Sequence, residues 1–394
     1  MIVRENLSKR LQRLQTDGKN IITPVHEHTG SSPAVGDAEL ANLGFDRLFD
    51  HVWCRTSTHE LGADLSQRIG QYQRSGLILP DHPGPYVFFD AETTGLGVGA
   101  GTVAFLSGCG FLESDGVFRL HQYIMSDYPG EPAYLELLAG HLSPDVRIVS
   151  YNGKSFDTSV LTTRFLMNGI PWTRPSQLDL LYTVRRLYRT RIGRCNLGTV
   201  EEELLDIHRH MDIPGAEVPQ RYFMFLETGA AELLKPVIAH HEQDIVSLVK
   251  LLVFVEDDLH RDHSERKADP VGMARHVVPV DVERAIRLLS PYVRPDYPFG
   301  DSRRAMVLQA GLLKRVGRTH EAVPLWRSLY RPGGSVTAGI ELAKYFEHRA
   351  GKPDSALAIC QEMCETSLES RVREALDHRI ERLLRRVRDR TSDE

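Results

Sequence analysis

The sequence predicts an α/β domain built on a mixed sheet, followed by an all-α region. Three patterns carry that expectation. Short apolar, strand-like runs alternate with helical spacing between residues 85 and 180, the order of a sheet domain with helices packed on it. Helical spacing then dominates residues 178 to 255, broken by the loop "DIPGAEVP" with its two prolines and a glycine. Beyond the charged segment "EDDLHRDHSERKADP" the chain is helical to its end and repeats itself.

Residues 1–80 open with a short amphipathic helix and the Gly/Ser/Pro-containing loop "HEHTGSSPAVGDAEL". "VWCRTSTHEL" reads as a strand and "LSQRIGQYQRS" as a short helix, and no motif gives this region a role. His26, His28, His51 and His59 lack H-E-x-x-H or comparable metal spacing and read as surface histidines. From residue 85 the signals sharpen. "YVFFD", bounded by "HPGP", is a buried strand; "TVAFLSGCGFLE", "SDG" and "VFRLHQYIM" form a hairpin; "EPAYLELLAGHL" is a helix and "VRIVSY" another apolar strand. "FDTSVLTTRFLMNG" is helical until Gly169 and Pro171 stop it.

The boundaries drawn from these shifts are 1–80, a region without an assigned role; 81–258, the sheet domain; 259–280, a linker; and 281–394, a helical domain. In the last, "GRTHEAVPLW" recurs as "GKPDSALAIC" thirty-four positions later, mapping Gly317 onto Gly351, Ala322 onto Ala356 and Leu325 onto Ile359. That period is the length of a tetratricopeptide repeat, with small residues where paired helices approach and a glycine in the turn. "RVREALDHRIERLLRRVRDR" then serves as the polar cap of the array.

At 394 residues and 41% hydrophobic content the chain can bury a sizeable core in two or three domains. A net charge of -5 provides no global basic field, so a nucleic-acid partner would need a local patch. The five cysteines, Cys54, Cys109, Cys195, Cys360 and Cys364, form no C-x-x-C pair, which argues against a disulfide framework or thiolate zinc site and for a reducing cytosol. The charged N-terminal stretch has no signal-peptide core, and no window approaches the roughly 18 apolar residues of a membrane span, so a cytoplasmic protein with no membrane partner is expected.

Chemistry concentrates in three places. Asp90 and Glu92, in "FFDAETTGLG", end a strand one position apart, so alternation puts both on one face. Alone, Asp90 would be a turn cap and Glu92 a solvated side chain. Asp157, in "YNGKSFDTSV", opens a helix five residues after Asn152, where it also qualifies as a cap. Asp244, in "HHEQDIVSLVKLL", shares a helix face with His240, beside the apolar stripe of Ile245, Leu248 and Leu252. Brought together, four carboxylates repel by roughly 1–4 kcal/mol per close pair, and such a cluster calls for cations. All-oxygen ligation suits Mg²⁺ or Mn²⁺, and two such ions can serve in-line displacement at a phosphodiester.

In order and context, "FFDAETTGLG", "YNGKSFD" and "HHEQDIVSL" resemble the three exonuclease motifs of the DEDD (DnaQ-like) superfamily, which has an RNase H-like fold. Over residues 85–255 the chain is similar to YprB-like RNase H-like domain proteins, whose intermediate segments "LDLLYTVRRLYR", "CNLGTVEEELLDI" and "DIPGAEVPQRYFMFL" resemble. The resemblance implies Asp90, Glu92, Asp157 and Asp244 as ligands of two Mg²⁺ or Mn²⁺ ions, and Asn152 and Phe156 as flanking residues of the second motif. It further implies metal-dependent hydrolysis of nucleic acid from a 3' end. His240 falls where one branch has tyrosine, four before the aspartate; the histidine branch has it five before, and His241 stands three before. His240, beside Asp244, is taken as the group that accepts a proton from water. Asp179 is a supporting candidate.

A local basic stretch bears on the partner. Arg185, Arg186, Arg189, Arg191 and Arg194 lie with Tyr182 and Tyr188 in a run without an acid between Asp179 and Glu201, as phosphate contacts and stacking groups on single-stranded DNA or RNA would require. The same pattern also describes a core stripe of Leu181, Val184, Leu187 and Tyr188 with arginines in solvent, and both readings stand. Lys154 is a further phosphate candidate. "GLGVGAGT" lacks the lysine and spacing of a phosphate loop and precedes a strand, so it reads as tight turns. The rival to a nuclease is a non-catalytic scaffold binding nucleic acid or protein, with the helical repeats docking a protein partner.

Overall fold

The computed structural model describes residues 35–75, 78, 84–95, 97–113, 116–209, 212–261, 268–294, 299–330, 334–365 and 369–392. The expected N-terminal helix, His26 and His28 lie outside these. The chain divides into two compact units, Met1–Arg261 and Asp262–Glu394.

The first unit is built on a mixed seven-stranded sheet of order β1-β2-β5-β4-β3-β6-β7. Its strands are β1 Asp46–Phe49, β2 Val52–Glu60, β3 Tyr86–Thr93, β4 Ala104–Leu112, β5 Val117–Met125, β6 Arg147–Ser150 and β7 Ser176–Asp179. The apolar, β-branched and aromatic run of β3 sits at the centre, antiparallel to β4 and parallel to β6. The three antiparallel strands, helix and further strand expected after residue 85 are thus present. On one face, Val87, Phe89, Cys109 and Tyr123 pack with Tyr134, Leu138, Leu161 and Phe165 from the helices Glu131–His141 and Asp157–Met167. The other face is covered by Val218–Thr228 and the 26-residue helix Lys235–His260, which pack on Trp53, Leu106 and Ile124.

Three sequence expectations need correction. β1 pairs with β2 and β2 with β5, so residues 46–60 complete the sheet rather than belonging to a separate 1–80 region. The four-residue strand β7 runs into the start of the 178–255 stretch expected to be helical, because its conformation comes from pairing along β6 and not from a local apolar period. The helix Pro270–Val277, capped by Asp269, falls inside the 259–280 segment expected as a linker.

The second unit is all helical among its described residues, and successive helices pack against one another. Phe299–Arg315 and Thr319–Tyr330 are joined through Gly317 at φ +83°, and Val336–His348 and Pro353–Cys364 through Gly351 at φ +62°. Both turns use the left-handed conformation that glycine adopts without a Cβ penalty, at the two positions the internal repeat aligns. The last helix, Ser370–Ser392, buries Leu376 and Leu383, and Arg379, Arg382 and Arg386 converge on the buried Glu347.

Candidate active site

Asp90 and Glu92 project from β3 toward the long helix. Strand register sets Asp90 opposite Gly108 and Gly108 opposite Gln122, with Glu92 opposite Leu106 in the next row. Gly108 lets the helix come close: a Cβ there would stand 2.1 Å from Ile245 Cδ1 and 2.7 Å from His241 Cε1. His241 is fully buried in that contact. Its Nε2 lies 3.1 Å from the main-chain oxygen of Asp90, and its Nδ1 lies 3.0 Å from Gln122 Nε2. Arg55 donates to Gln122 Oε1, so the amide nitrogen of Gln122 faces His241 and the ring accepts at Nδ1 and donates at Nε2. Burial lowers its pKa to about 4, and the ring is a neutral strut between helix and strand.

Asp157 enters from the opposite side, as the first residue of its helix. The turn before it is tightly wound: Asn152 has φ +64°, and a Cβ on Gly153 would meet Ser150 Cβ at 2.8 Å and Asp157 Oδ2 at 2.9 Å. Asp179, at the end of β7, accepts the N–H groups of Asn152 at 2.8 Å and Lys154 at 3.0 Å, and caps the next helix through Leu181 N at 3.1 Å. It therefore acts on the Asp157 turn from behind. Asn152 and Lys154 are exposed on that turn.

Asp244 sits on the long helix with His240 one turn earlier, His240 Nε2 lying 3.6 Å from Asp244 Oδ2. His240 Nδ1 lies 2.5 Å from Asp212 Oδ1. Of the adjacent histidines, His240 is partly open at the acidic cluster and His241 is locked beneath it.

The carboxylates of Asp90, Glu92, Asp157 and Asp244 belong to one electrostatic cluster although they come from three separate segments. Burial and then the charge of Asp244 push Asp90 up to about 7. Burial, Asp90 and Asp244 hold Glu92 well above the usual carboxylate range, and burial, Asp90 and Glu92 do the same to Asp157. Burial also raises Asp244, against the opposing pull of His240 and Arg209. Buried carboxylates that resist ionising together are the donor chemistry of a hard divalent cation. Yet among the described residues no three His, Cys, Asp or Glu side chains converge closely enough to hold an ion as they stand.

Arg209 meets one of the four carboxylates, and sequence reasoning missed it. Its Nη2 bonds Asp244 Oδ1, its Nη1 lies 3.2 Å from Asp212 Oδ2 and 3.1 Å from His240 Nδ1, and its Nε lies 2.5 Å from Glu201 Oε2. Glu201 is itself fully buried and accepts a bond from Ser247. "DIHRHMD" is an unpatterned loop, and nothing local marks an arginine whose partner is 35 positions away.

The expected arginine patch divides. Arg185 and Arg189 line a cleft of about 460 Å³ together with Tyr151, Asn152, Asn196 and Leu197, next to the Asp157 turn. Arg186 is exposed but does not line it. Tyr182 is 48% exposed, with its hydroxyl 2.8 Å from Ser155 Oγ. Tyr188 is not available for stacking, because it is fully buried and donates to Asp258 Oδ2. Its neighbours Leu181, Val184 and Leu187 make the core stripe. His51 is a left-handed turn residue, and His59 pairs with Glu242 at 3.0 Å.

A family model described as the RNase_H superfamily matches residues 87–255, the segment that carries all four carboxylates. The chain is also 34% identical over 314 residues to a Bacillus subtilis (strain 168) protein bearing the description "Uncharacterized protein YprB", an alignment covering 76% of this chain and 74% of that one. No helix among the described residues is long and apolar enough to cross a membrane.

Proposed function

The chain belongs to the YprB-like proteins of the RNase H superfamily, and on that premise we propose that it is a metal-dependent nuclease, acting from the 3' end of a single strand of DNA or RNA. The observation that carries this reading is that four carboxylates from three separate segments share one electrostatic cluster, in which Asp244 acts on Asp90, Asp90 and Asp244 on Glu92, and Asp90 and Glu92 on Asp157. Asp90, Glu92, Asp157 and Asp244 would hold two Mg²⁺ or Mn²⁺ ions, which when bound supply Lewis acidity to the attacking water and the departing oxygen. His240 takes the proton of the attacking water at the ring nitrogen facing Asp244, while Asp212 orients the ring from its other side. Asn152, Lys154, Arg185 and Arg189 receive phosphates along the cleft, Arg186 contributes at its exterior, and Tyr182 offers a face to a base. Five free thiols support a reducing, cytoplasmic setting. The C-terminal helix pairs, with their equivalent Gly317 and Gly351 turns, support a tetratricopeptide-like module that docks a protein partner.

A second reading, a non-catalytic scaffold, is favoured by the pairing of Asp244 with Arg209 in place of a converged ligand set. End-labelled single- and double-stranded DNA and RNA, incubated with Mg²⁺, Mn²⁺ or chelator, separate the two. Metal-dependent shortening of at least one substrate, abolished by Asp90→Asn and Asp244→Asn, is expected. Equal inertness of wild type and variants on all four would leave the scaffold.

A further inference from the structure

The donor chemistry of the cluster and its geometry disagree, and the disagreement has a definite shape. Four carboxylates, Asp157 buried and Asp90, Glu92 and Asp244 partly buried, interact electrostatically. Glu92 and Asp157 have no ion-pair partner among the described residues, and Asp90 meets only the neutral His241, at 4.0 Å. Of the four, Asp244 is the one that forms an ion pair with a guanidinium, that of Arg209.

That guanidinium is built into place. Its Nε end is fixed by Glu201, which is fully buried and further held by Ser247, so the side chain is anchored from within the core. Its Nη end is the part that faces the cluster, spanning Asp244, Asp212 and His240. The arginine is 13% exposed, so its charge is poorly screened by water. A planar fork bound to a carboxylate uses the same oxygen lone pairs that a divalent cation would need, and its positive charge opposes the arrival of another.

Resting on the metal-dependent reading above, we propose that Arg209 is the intrinsic cation of this site: it occupies Asp244, and a divalent ion is ligated there only by displacing the Nη end of the guanidinium. Arg209 thereby sets the affinity for the metal, keeping it weak when nothing else is bound. The Glu201 contact lets the side chain yield Asp244 without leaving the site, because Nε and Nη are separate donors.

Mn²⁺ titration calorimetry on wild type, Arg209→Gln and the double variant Glu201→Gln/Arg209→Gln tests this without reference to turnover. The double variant is included because Arg209→Gln alone strands Glu201 as an unpaired buried charge and can unfold the domain. Removing the guanidinium is expected to tighten Mn²⁺ binding about tenfold, equivalent to about 1.4 kcal/mol. Unchanged or weaker binding in folded variants overturns the proposal and leaves the metal site standing. Absence of saturable Mn²⁺ binding in every protein, wild type included, overturns the metal-dependent reading and this proposal with it. In wild type, Mg²⁺ should raise the modification of Arg209 by phenylglyoxal, mapped by mass spectrometry; protection by Mg²⁺ would count against displacement.

Discussion

His241 donates its Nε2 proton to the main-chain oxygen of Asp90, 3.1 Å away, and so ties the helix that carries Asp244 to the strand that carries Asp90. Its neighbour His240 makes no such tie and faces Asp244 and Asp212. The two histidines should therefore separate by phenotype. His241→Ala is expected to cost about 3 kcal/mol, from stranded hydrogen-bond groups and a buried cavity. His240→Ala should cost under about 1 kcal/mol and reduce nuclease turnover about 100-fold or more. Urea unfolding and single-turnover cleavage measure the two effects, and the reverse assignment would move the proton acceptor to His241.

Gly108→Ala should destabilise the first unit by about 1–3 kcal/mol, because the new methyl enters space held by Ile245 Cδ1 and the His241 ring. Adding Ile245→Val removes the closest of these atoms and should restore part of the loss. Denaturant midpoints of the single and double variants report it, and additive losses would place the strain elsewhere.

Asp90→Asn should stabilise the metal-free protein at pH 7.5 by on the order of 2 kcal/mol while abolishing cleavage. The folded state holds the Asp90 proton up to about pH 7, above its ordinary value of 3.8, so the folded state binds more protons between those limits. Stability from this group is present at low pH and is lost as pH rises toward 7. Equal melting temperatures of wild type and Asp90→Asn above that range would contradict the buried-charge account.

Arg185 and Arg189 line the cleft and Arg186 does not. The double variant Arg185→Ala/Arg189→Ala should lower the slope of log K against log salt by about 1.4 for a single-stranded oligonucleotide, at roughly 0.7 per phosphate contact, with a smaller change for Arg186→Ala. Fluorescence anisotropy at several salt concentrations measures it. An unchanged slope would return all three to a solvated helix face.

His121 and His141 stack 6.2 Å apart against the sheet, His121 Nδ1 lying 2.9 Å from Thr56 Oγ1 and His141 Nε2 lying 2.7 Å from Tyr123 Oη. Burial lowers both to about 4 from an ordinary 6.5. The unfolded chain binds the extra protons between those values, so stability is complete above pH 6.5 and declines as pH falls, by about 1 kcal/mol per histidine at pH 5.5. His141→Gln, which keeps an acceptor for Tyr123, should flatten urea midpoints measured from pH 7.5 to 5.5; an unaltered pH slope would exclude His141 as a source.

Local period sufficed where structure is itself local. The strand at Tyr86–Thr93, the shared face of Asp90 and Glu92, and the glycine turns at 317 and 351 follow from alternation, apolar runs and φ preferences that a few adjacent residues determine. The helix start at Asp157 and the one-turn relation of His240 to Asp244 are of the same kind. Tertiary structure decided what depends on contact between distant segments: that β1 and β2 complete the sheet, that Tyr188 is core and Tyr182 surface, that His241 is a strut, and that Arg209 rather than a further carboxylate meets Asp244. Side-chain periodicity states which residues share a face, and only the packing of one face on another selects the partner, since a charge in a loop carries no record of the carboxylate 35 positions away that will neutralise it.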